Sequence, residues 1–263
     1  MILITGARGF VGGAIMRECE GVIPCPSLRG LSEDEIRRII LESEADTIVH
    51  TAAISDIGAC ERDNDASYLA NVQIPIWIAR ASAGKKLICF SSDQVYSGSR
   101  QEGPFTEDMV CPSNIYSRHK LEMENRVLDI CPDAVMLRAE WMYDCYAKRY
   151  NYFMGILNAT EPVRASSQEF RGVTYVKEVC ENIDRVARLD GGAYNFGSET
   201  TRSMYDITKD FLRLIGKDLE VIDTPSNRNL WISGEKARLG GVTFSSVDDG
   251  LARCAKDYGL IAK

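Results

Sequence analysis

The sequence predicts an α/β fold: a doubly wound parallel sheet with helices on both faces and a small C-terminal lobe. Three observations predict it. Apolar strand-like runs alternate with longer helical patterns from the first residue onward. The 263 residues show no internal repeat and no low-complexity linker, so they fit one core with a satellite. Beyond about residue 140 the alternation weakens and the loops lengthen, where segments leave the sheet.

In chain order, Met1–Thr5 reads as a buried strand and Val11–Cys19 as the helix that follows it. Gly21–Cys25 is a short second strand. Ser32-Glu33-Asp34-Glu35 is a capping box, after which Ile36, Ile39 and Ile40 make one helical face. Asp46–His50 is a strand, Ala66–Ala83 a helix carrying Pro75, and Lys86–Ser91 a strand. Tyr116–Leu128 is a helix, Ala134–Arg138 a strand, Val176–Arg188 a helix and Ala193–Phe196 a strand. Ser246-Val247-Asp248-Asp249 reads as a last capping box, opening a helix with the stripe Val247, Leu251, Cys254, Ala255 and Tyr258. The expected division is a single unit, residues 1–263, with a cofactor-binding part over about 1–140 plus 173–197. The substrate lobe takes about 141–172 and 198–263.

Composition removes several function classes. A net charge of −7 without a basic tract argues against sequence-independent nucleic-acid binding. No apolar run approaches the roughly 20 residues that span a bilayer. The opening Met1-Ile2-Leu3-Ile4 has neither the positive start nor the length of a signal peptide. Nine dispersed cysteines without a C-x-x-C, and only two histidines, predict no disulfide framework and no metal site. A reducing cytoplasm is the expected location.

Gly6-Ala7-Arg8-Gly9-Phe10-Val11-Gly12 follows the first strand and opens a helix. Gly6 permits the tight turn, Gly9 lets backbone approach a pyrophosphate, and Gly12 lets helix and strand pack closely. The helix N-terminus adds N–H donors and partial positive charge. This is the Rossmann-type dinucleotide loop. The acid expected about 20 residues on, for the ribose of NAD, is missing. Ser27 and Arg29 stand there instead, with Arg8 inside the glycine loop, which suits a 2′-phosphate. NADPH is therefore the expected cofactor, with NADH as the alternative.

Tyr116-x-x-x-Lys120 puts a phenol and an ammonium one helical turn apart. Reducing a carbonyl by hydride requires a proton at its oxygen, and a nearby cation lowers the phenol pKa toward the working range. The pattern recurs at Tyr205-x-x-x-Lys209, which falls after the last strand and reads as structural. Ser92 follows the Lys86–Ser91 strand at its carboxyl end, where open α/β sheets bind ligands. Pro75 lies four residues after Asn71 and deprives its carbonyl of a helical partner, freeing it for a water.

These stretches, with His50–Ala53, Ser91–Tyr96, Pro112–Lys120, Leu137–Tyr143 and Thr174–Val179, make the chain resemble the extended short-chain dehydrogenase/reductases. Within them it resembles the sugar-nucleotide reductase branch of dTDP-4-dehydrorhamnose reductase. The resemblance implies a catalytic set of Ser92, Tyr116, Lys120 and Asn71. It implies cofactor contacts from Gly6, Arg8, Gly9, Phe10, Val11, Gly12, Arg29, Ala52, Ala53, Tyr116 and Lys120. It assigns substrate contacts to Asp93, Gln94, Trp141 and Arg171, the last for a diphosphate. The competing role for Arg171 is a salt bridge to Glu169 or Glu178. Gln94 stands where the related dehydratases carry an acidic residue, so dehydration is not expected. The implied reaction is NADPH-dependent reduction of the keto group of a nucleotide-linked deoxysugar. Two alternatives stay open: an NAD-dependent epimerase, and a non-catalytic nucleotide-binding regulatory subunit. The partners implied are a nucleotide-sugar substrate and, as an open alternative, a second copy in a homodimer.

Overall fold

The computed structural model describes residues 1–146, 151–226 and 228–261. Along the chain lie strand β1 (Ile2–Thr5), helix α1 (Phe10–Glu18), β2 (Val22–Pro24), α2 (Glu33–Glu42) and β3 (Thr47–His50). Next come α3 (Ile57–Arg62), α4 (Asn64–Tyr68), a π-helical segment (Leu69–Gln73), α5 (Ile74–Ala81) and β4 (Lys86–Phe90). After α6 (Ile115–Ile130) follow β5 (Val135–Ala139), β6 (Trp141–Tyr143), α7 (Tyr152–Leu157), β7 (Val163–Ala165) and β8 (Val173–Tyr175). The remainder is α8 (Val176–Val186), β9 (Gly192–Phe196), α9 (Met204–Leu214), β10 (Val221–Asp223), α10 (Glu235–Leu239) and α11 (Val247–Asp257).

All six expected strands form one parallel sheet in the order β2-β1-β3-β4-β5-β9. The strands alternate between two apolar layers. Ile4, Val49, Ile88 and Leu137 face one, with Ile15 of α1 and Ile183 of α8. Leu3, Ile48, Leu87 and Met136 face the other, with Ile36 of α2, Ile78 of α5 and Met123 of α6. Helices cover both faces, so neither set of side chains is polar. The order reverses between β1 and β3. A crevice opens there at the strands' carboxyl ends, and it positions the site.

A third apolar cluster builds the lobe, from Tyr143, Phe153, Ile207, Phe211, Leu251 and Cys254 among others. Two short parallel pairs, β6–β8 and β7–β10, frame it. The lobe and the sheet interleave more than contiguous ranges allow. Val173 and Tyr175 of β8 pack in the lobe, whereas Ala237 of α10 and Val242 pack under the sheet.

Local chemistry explains most boundaries. Ser32 and Glu35 make the reciprocal capping box. At α11 the Ser246 hydroxyl accepts from the Asp249 amide at 3.2 Å and donates to the Asp249 carboxylate at 2.7 Å. Aspartate is one methylene shorter than glutamate, and its carboxylate bonds the Ser246 hydroxyl instead of the backbone N–H. The bend at Pro75 becomes the π-helical segment, whose wider turn lets the Ile74 amide reach the Leu69 carbonyl. An unforeseen box, Asn114 with Ser117, starts α6. No described helix is long and apolar enough to cross a membrane.

Candidate active site

A cleft of about 590 Å³ lies at the carboxyl ends of the central strands. Its walls bring together Gly9, Phe10 and Val11 from the glycine loop, Ala53, Ser92 to Gln94, Tyr116, Lys120 and Trp141. The loop has the geometry a dinucleotide requires. Gly6 has φ +73°, and a Cβ on it would stand 2.8 Å from the Ala52 amide nitrogen. A Cβ on Gly12 would stand 2.2 Å from the Gly6 carbonyl oxygen. Helix α1 begins at Gly9 with no side-chain cap and no acid in its first turn, so its N–H groups are left for an anion. The residues present therefore fit a dinucleotide diphosphate. Arg8 and Arg29 are exposed and make no side-chain hydrogen bond or ion pair among the described residues.

Tyr116 and Lys120 lie on the first turns of α6, and Ser92 starts the turn after β4. Tyr116 is 7% exposed, and burial pushes its pKa up. The neighbouring Ser92 hydroxyl pulls the other way, and the Asp93 charge adds to the rise. The Tyr116–Lys120 spacing predicts a phenol lowered by the cation; burial instead makes the net shift upward. The Lys120 ammonium sits 6.0 Å from the phenol ring centroid and donates to the Phe90 carbonyl at 2.6 Å. Burial lowers the Lys120 pKa to about 8. Behind them, the Thr5 hydroxyl shares a 2.7 Å hydrogen bond with His50 Nδ1. Burial, then the Lys120 charge, push this imidazole down to about 3, so it is neutral at pH 7.

Several expected residues take other places. The Asn71 side chain is buried off the cleft wall and clamps Ile54, accepting from its N–H and donating to its carbonyl, both at 3.0 Å. It fixes the chain leaving β3. Arg171 has no exposed side-chain surface and pairs with Asp93 at 2.5 Å, not with Glu169 or Glu178. Its guanidinium stacks 3.9 Å from the Trp141 ring centroid, and Trp141 remains 47% exposed. Tyr205 and Lys209 sit on α9 in the lobe, away from the cleft wall.

Among the wall residues that sequence reasoning missed are Arg228 and Glu140. Arg228 is half-buried in the cleft, and its side chain makes no hydrogen bond or ion pair among the described residues. Its guanidinium stands 5.9 Å from the Trp141 ring. Glu140 follows β5 directly, and its carboxylate accepts from the Gly172 amide at 2.9 Å. Burial and then Asp93 push its pKa well above the carboxylate range. A Cβ at Gly172 or Gly197 would lie 2.1 or 2.3 Å from its Oε2, so those glycines make its slot. The strand-end rule that singled out Ser92 also applies to Glu140. Arg228, in an irregular loop, carries no such signal. The described residues contain no cluster suited to a metal ion.

Residues 1–229 match the RmlD substrate binding domain. The chain is 28% identical over 232 residues to methionine adenosyltransferase 2 subunit beta of Danio rerio, covering 79% of this chain and 71% of that one. It is 25% identical over 194 residues to a dTDP-4-dehydrorhamnose reductase of Burkholderia thailandensis, covering 68% and 63%. Among solved structures, a dTDP-4-dehydrorhamnose reductase from Bacillus anthracis in complex with NADP superposes with a TM-score of 0.85 at 22% identity, covering 97% and 98%. With the family match running through the glycine loop, the Ser92–Tyr116–Lys120 cleft and most of the lobe, the chain belongs to the RmlD substrate binding domain family.

Proposed function

We propose that this protein reduces the keto group of a nucleotide-linked deoxysugar with NADPH. One observation carries the reading: Ser92, Tyr116 and Lys120 converge in the cleft whose other wall is the uncapped start of α1. Similarity to reductases of dTDP-linked keto sugars supports the substrate class. When bound, the dinucleotide supplies hydride to the carbonyl carbon. Burial keeps the Tyr116 phenol protonated beforehand, so it serves as the acid for the oxygen that gains charge. Ser92 donates a hydrogen bond to the same oxygen. Lys120, charged at neutral pH, stabilises the phenolate left behind. Arg228 is the arginine on the cleft wall, and we assign the substrate diphosphate to it in place of the buried Arg171. Arg8 and Arg29, free at the surface, are assigned to the 2′-phosphate. The cysteines, all free among the described residues, suit a reducing cytoplasm.

The test is NADPH consumption with dTDP-4-keto-6-deoxyglucose. Tyr116→Phe should lose about 10²–10⁴-fold in turnover and keep its NADPH affinity, while Tyr205→Phe stays close to the parent. Tight NADPH binding without turnover on any keto sugar nucleotide would sink the reading. It would favour the regulatory-subunit alternative; the Danio rerio relative is named as a subunit.

A further inference from the structure

Helix α1 ends at a thiol that the reduction does not use. Cys19 caps its C-terminus in extended backbone, with φ −108° and ψ 142°. Cys180 lies on α8, 161 residues later, and is 6% exposed. The Cys19 thiol hydrogen-bonds the Cys180 carbonyl, with Sγ 3.6 Å from the oxygen. Both residues belong to the apolar layer in which α1 and α8 cover the sheet. Cys180 is inside that layer, and the half-buried Cys19 packs against it.

This pair differs from the isolated buried thiols. Burial pushes Cys25 up to about 11 and Cys89 up to about 12, which leaves them protonated and unreactive at neutral pH. The Cys19 thiol is held below its ordinary value instead, chiefly by Cys180, against burial and the charges of Asp184 and Glu18. Cys180 is pushed far above its ordinary value, first by Cys19 and then by burial, with Glu18 adding to the rise and Arg17 opposing it. The nucleophilic member is thus the one that reaches solvent, and the shielded member lies behind it. Partial exposure with a second thiol in reach is the setting in which a first oxidation product is converted to a disulfide. A disulfide needs its two Cα atoms about 4.4–6.8 Å apart. Cys19 stands past the last helical turn, where the backbone adjusts at small cost.

We propose that Cys19 is a modification site for hydroperoxides, that Cys180 is its resolving thiol, and that the product is a disulfide joining α1 to α8. The Cys19 thiolate attacks a peroxide oxygen. An S–O bond forms, the O–O bond breaks, and the departing hydroxide or alkoxide takes up the proton that Cys19 released. Cys180 then attacks the oxidised sulfur. The S–S bond forms, the S–O bond breaks, and hydroxide leaves as water with the Cys180 proton. Two thiols lose two electrons and the peroxide gains them. The leading cause of the high Cys180 value is Cys19 itself, and that influence goes once Cys19 carries oxygen. In a reducing compartment such a bond is transient.

The full-length protein is treated with hydrogen peroxide, quenched with catalase, unfolded in iodoacetamide and digested with trypsin without reductant. Peptide 18–29 should appear joined to peptide 178–185, two hydrogens lighter than their sum. Free thiols should fall from nine to seven per chain while the exposed Cys111 stays reduced, and dithiothreitol should restore all nine. Cys25 shares the first peptide, so Cys19→Ser decides which sulfur is bonded: it should abolish the joined peptide. Cys180→Ser should instead leave Cys19 as a sulfenic acid that dimedone labels. A joined peptide that survives Cys19→Ser overturns the inference. So does a Cys19 sulfinic acid formed while Cys180 stays reduced, oxidation of Cys111 ahead of Cys19, or nine thiols left intact. Should Cys180→Ser fail to fold, the parent and Cys19→Ser decide the question. No readout uses turnover, so the result stands apart from the reductase reading.

Discussion

Replacing Arg138 with methionine removes the cation from the network that backs Tyr116 and Lys120. Arg138, on β5, donates to Glu124 at 2.7, 3.1 and 3.2 Å. It also reaches the Tyr96 hydroxyl at 2.8 Å and the Glu107 carbonyl at 2.6 Å. Glu124 lies on α6, one turn beyond Lys120, and is 1% exposed. Its remaining side-chain partner is the Ser91 hydroxyl. Methionine fills much of the arginine's volume but strands a buried carboxylate, at a cost of about 3–5 kcal/mol. That is a large share of the roughly 5–15 kcal/mol that holds a typical domain folded. At about 2–4 °C per kcal/mol for a chain of this size, Tm falls by roughly 6–20 °C. Removing both partners, Arg138→Met with Glu124→Leu, takes the stranded charge away. It should recover at least about 2 kcal/mol relative to the summed single losses. Urea unfolding followed by far-ultraviolet circular dichroism on the four proteins of the cycle measures this. A single variant within about 1 kcal/mol of the parent, or a double variant equal to the sum of the singles, refutes the reasoning.

Gly12→Ala places a Cβ 2.2 Å from the Gly6 carbonyl and 2.9 Å from the Thr51 hydroxyl. It should cost about 1–3 kcal/mol of stability. It should also weaken NADPH binding, and an unchanged melting curve and titration would show that helix and strand do not need the contact. Lys120 loses its proton near pH 8, so reductive turnover should be level below that pH and fall as pH rises through it. Lys120→Arg stays charged and should flatten the alkaline limb; a parent profile with no break near pH 8 contradicts the assignment. Arg8→Ala and Arg29→Ala should each narrow the preference for NADPH over NADH, read from paired dissociation constants. A parent protein that prefers NADH removes both arginines from the 2′-phosphate role.

The sequence by itself determined the sheet and the elements beside it. Strand and helix periods are properties of consecutive residues, and the two-layer pattern of Leu3/Ile4, Ile48/Val49, Leu87/Ile88 and Met136/Leu137 is written in adjacent letters. The glycine loop and Tyr116-x-x-x-Lys120 are equally local, because a turn and a helical repeat fix their geometry over a few residues. Placement relative to the strands also separated Tyr116 from Tyr205. Only the tertiary structure decided which charges meet. Arg171 ignores the nearby Glu169 and Glu178 and pairs with Asp93, 78 residues away. Asn71 holds the backbone of Ile54 rather than the cleft wall, Glu140 lies in a slot made by Gly172 and Gly197, and Arg228 brings to the wall a guanidinium without an ion pair among the described residues. The reason is the range of the forces. Backbone geometry propagates along the chain, whereas desolvation and ion pairing act over a few ångströms of space, and the packed fold alone decides which side chains share them.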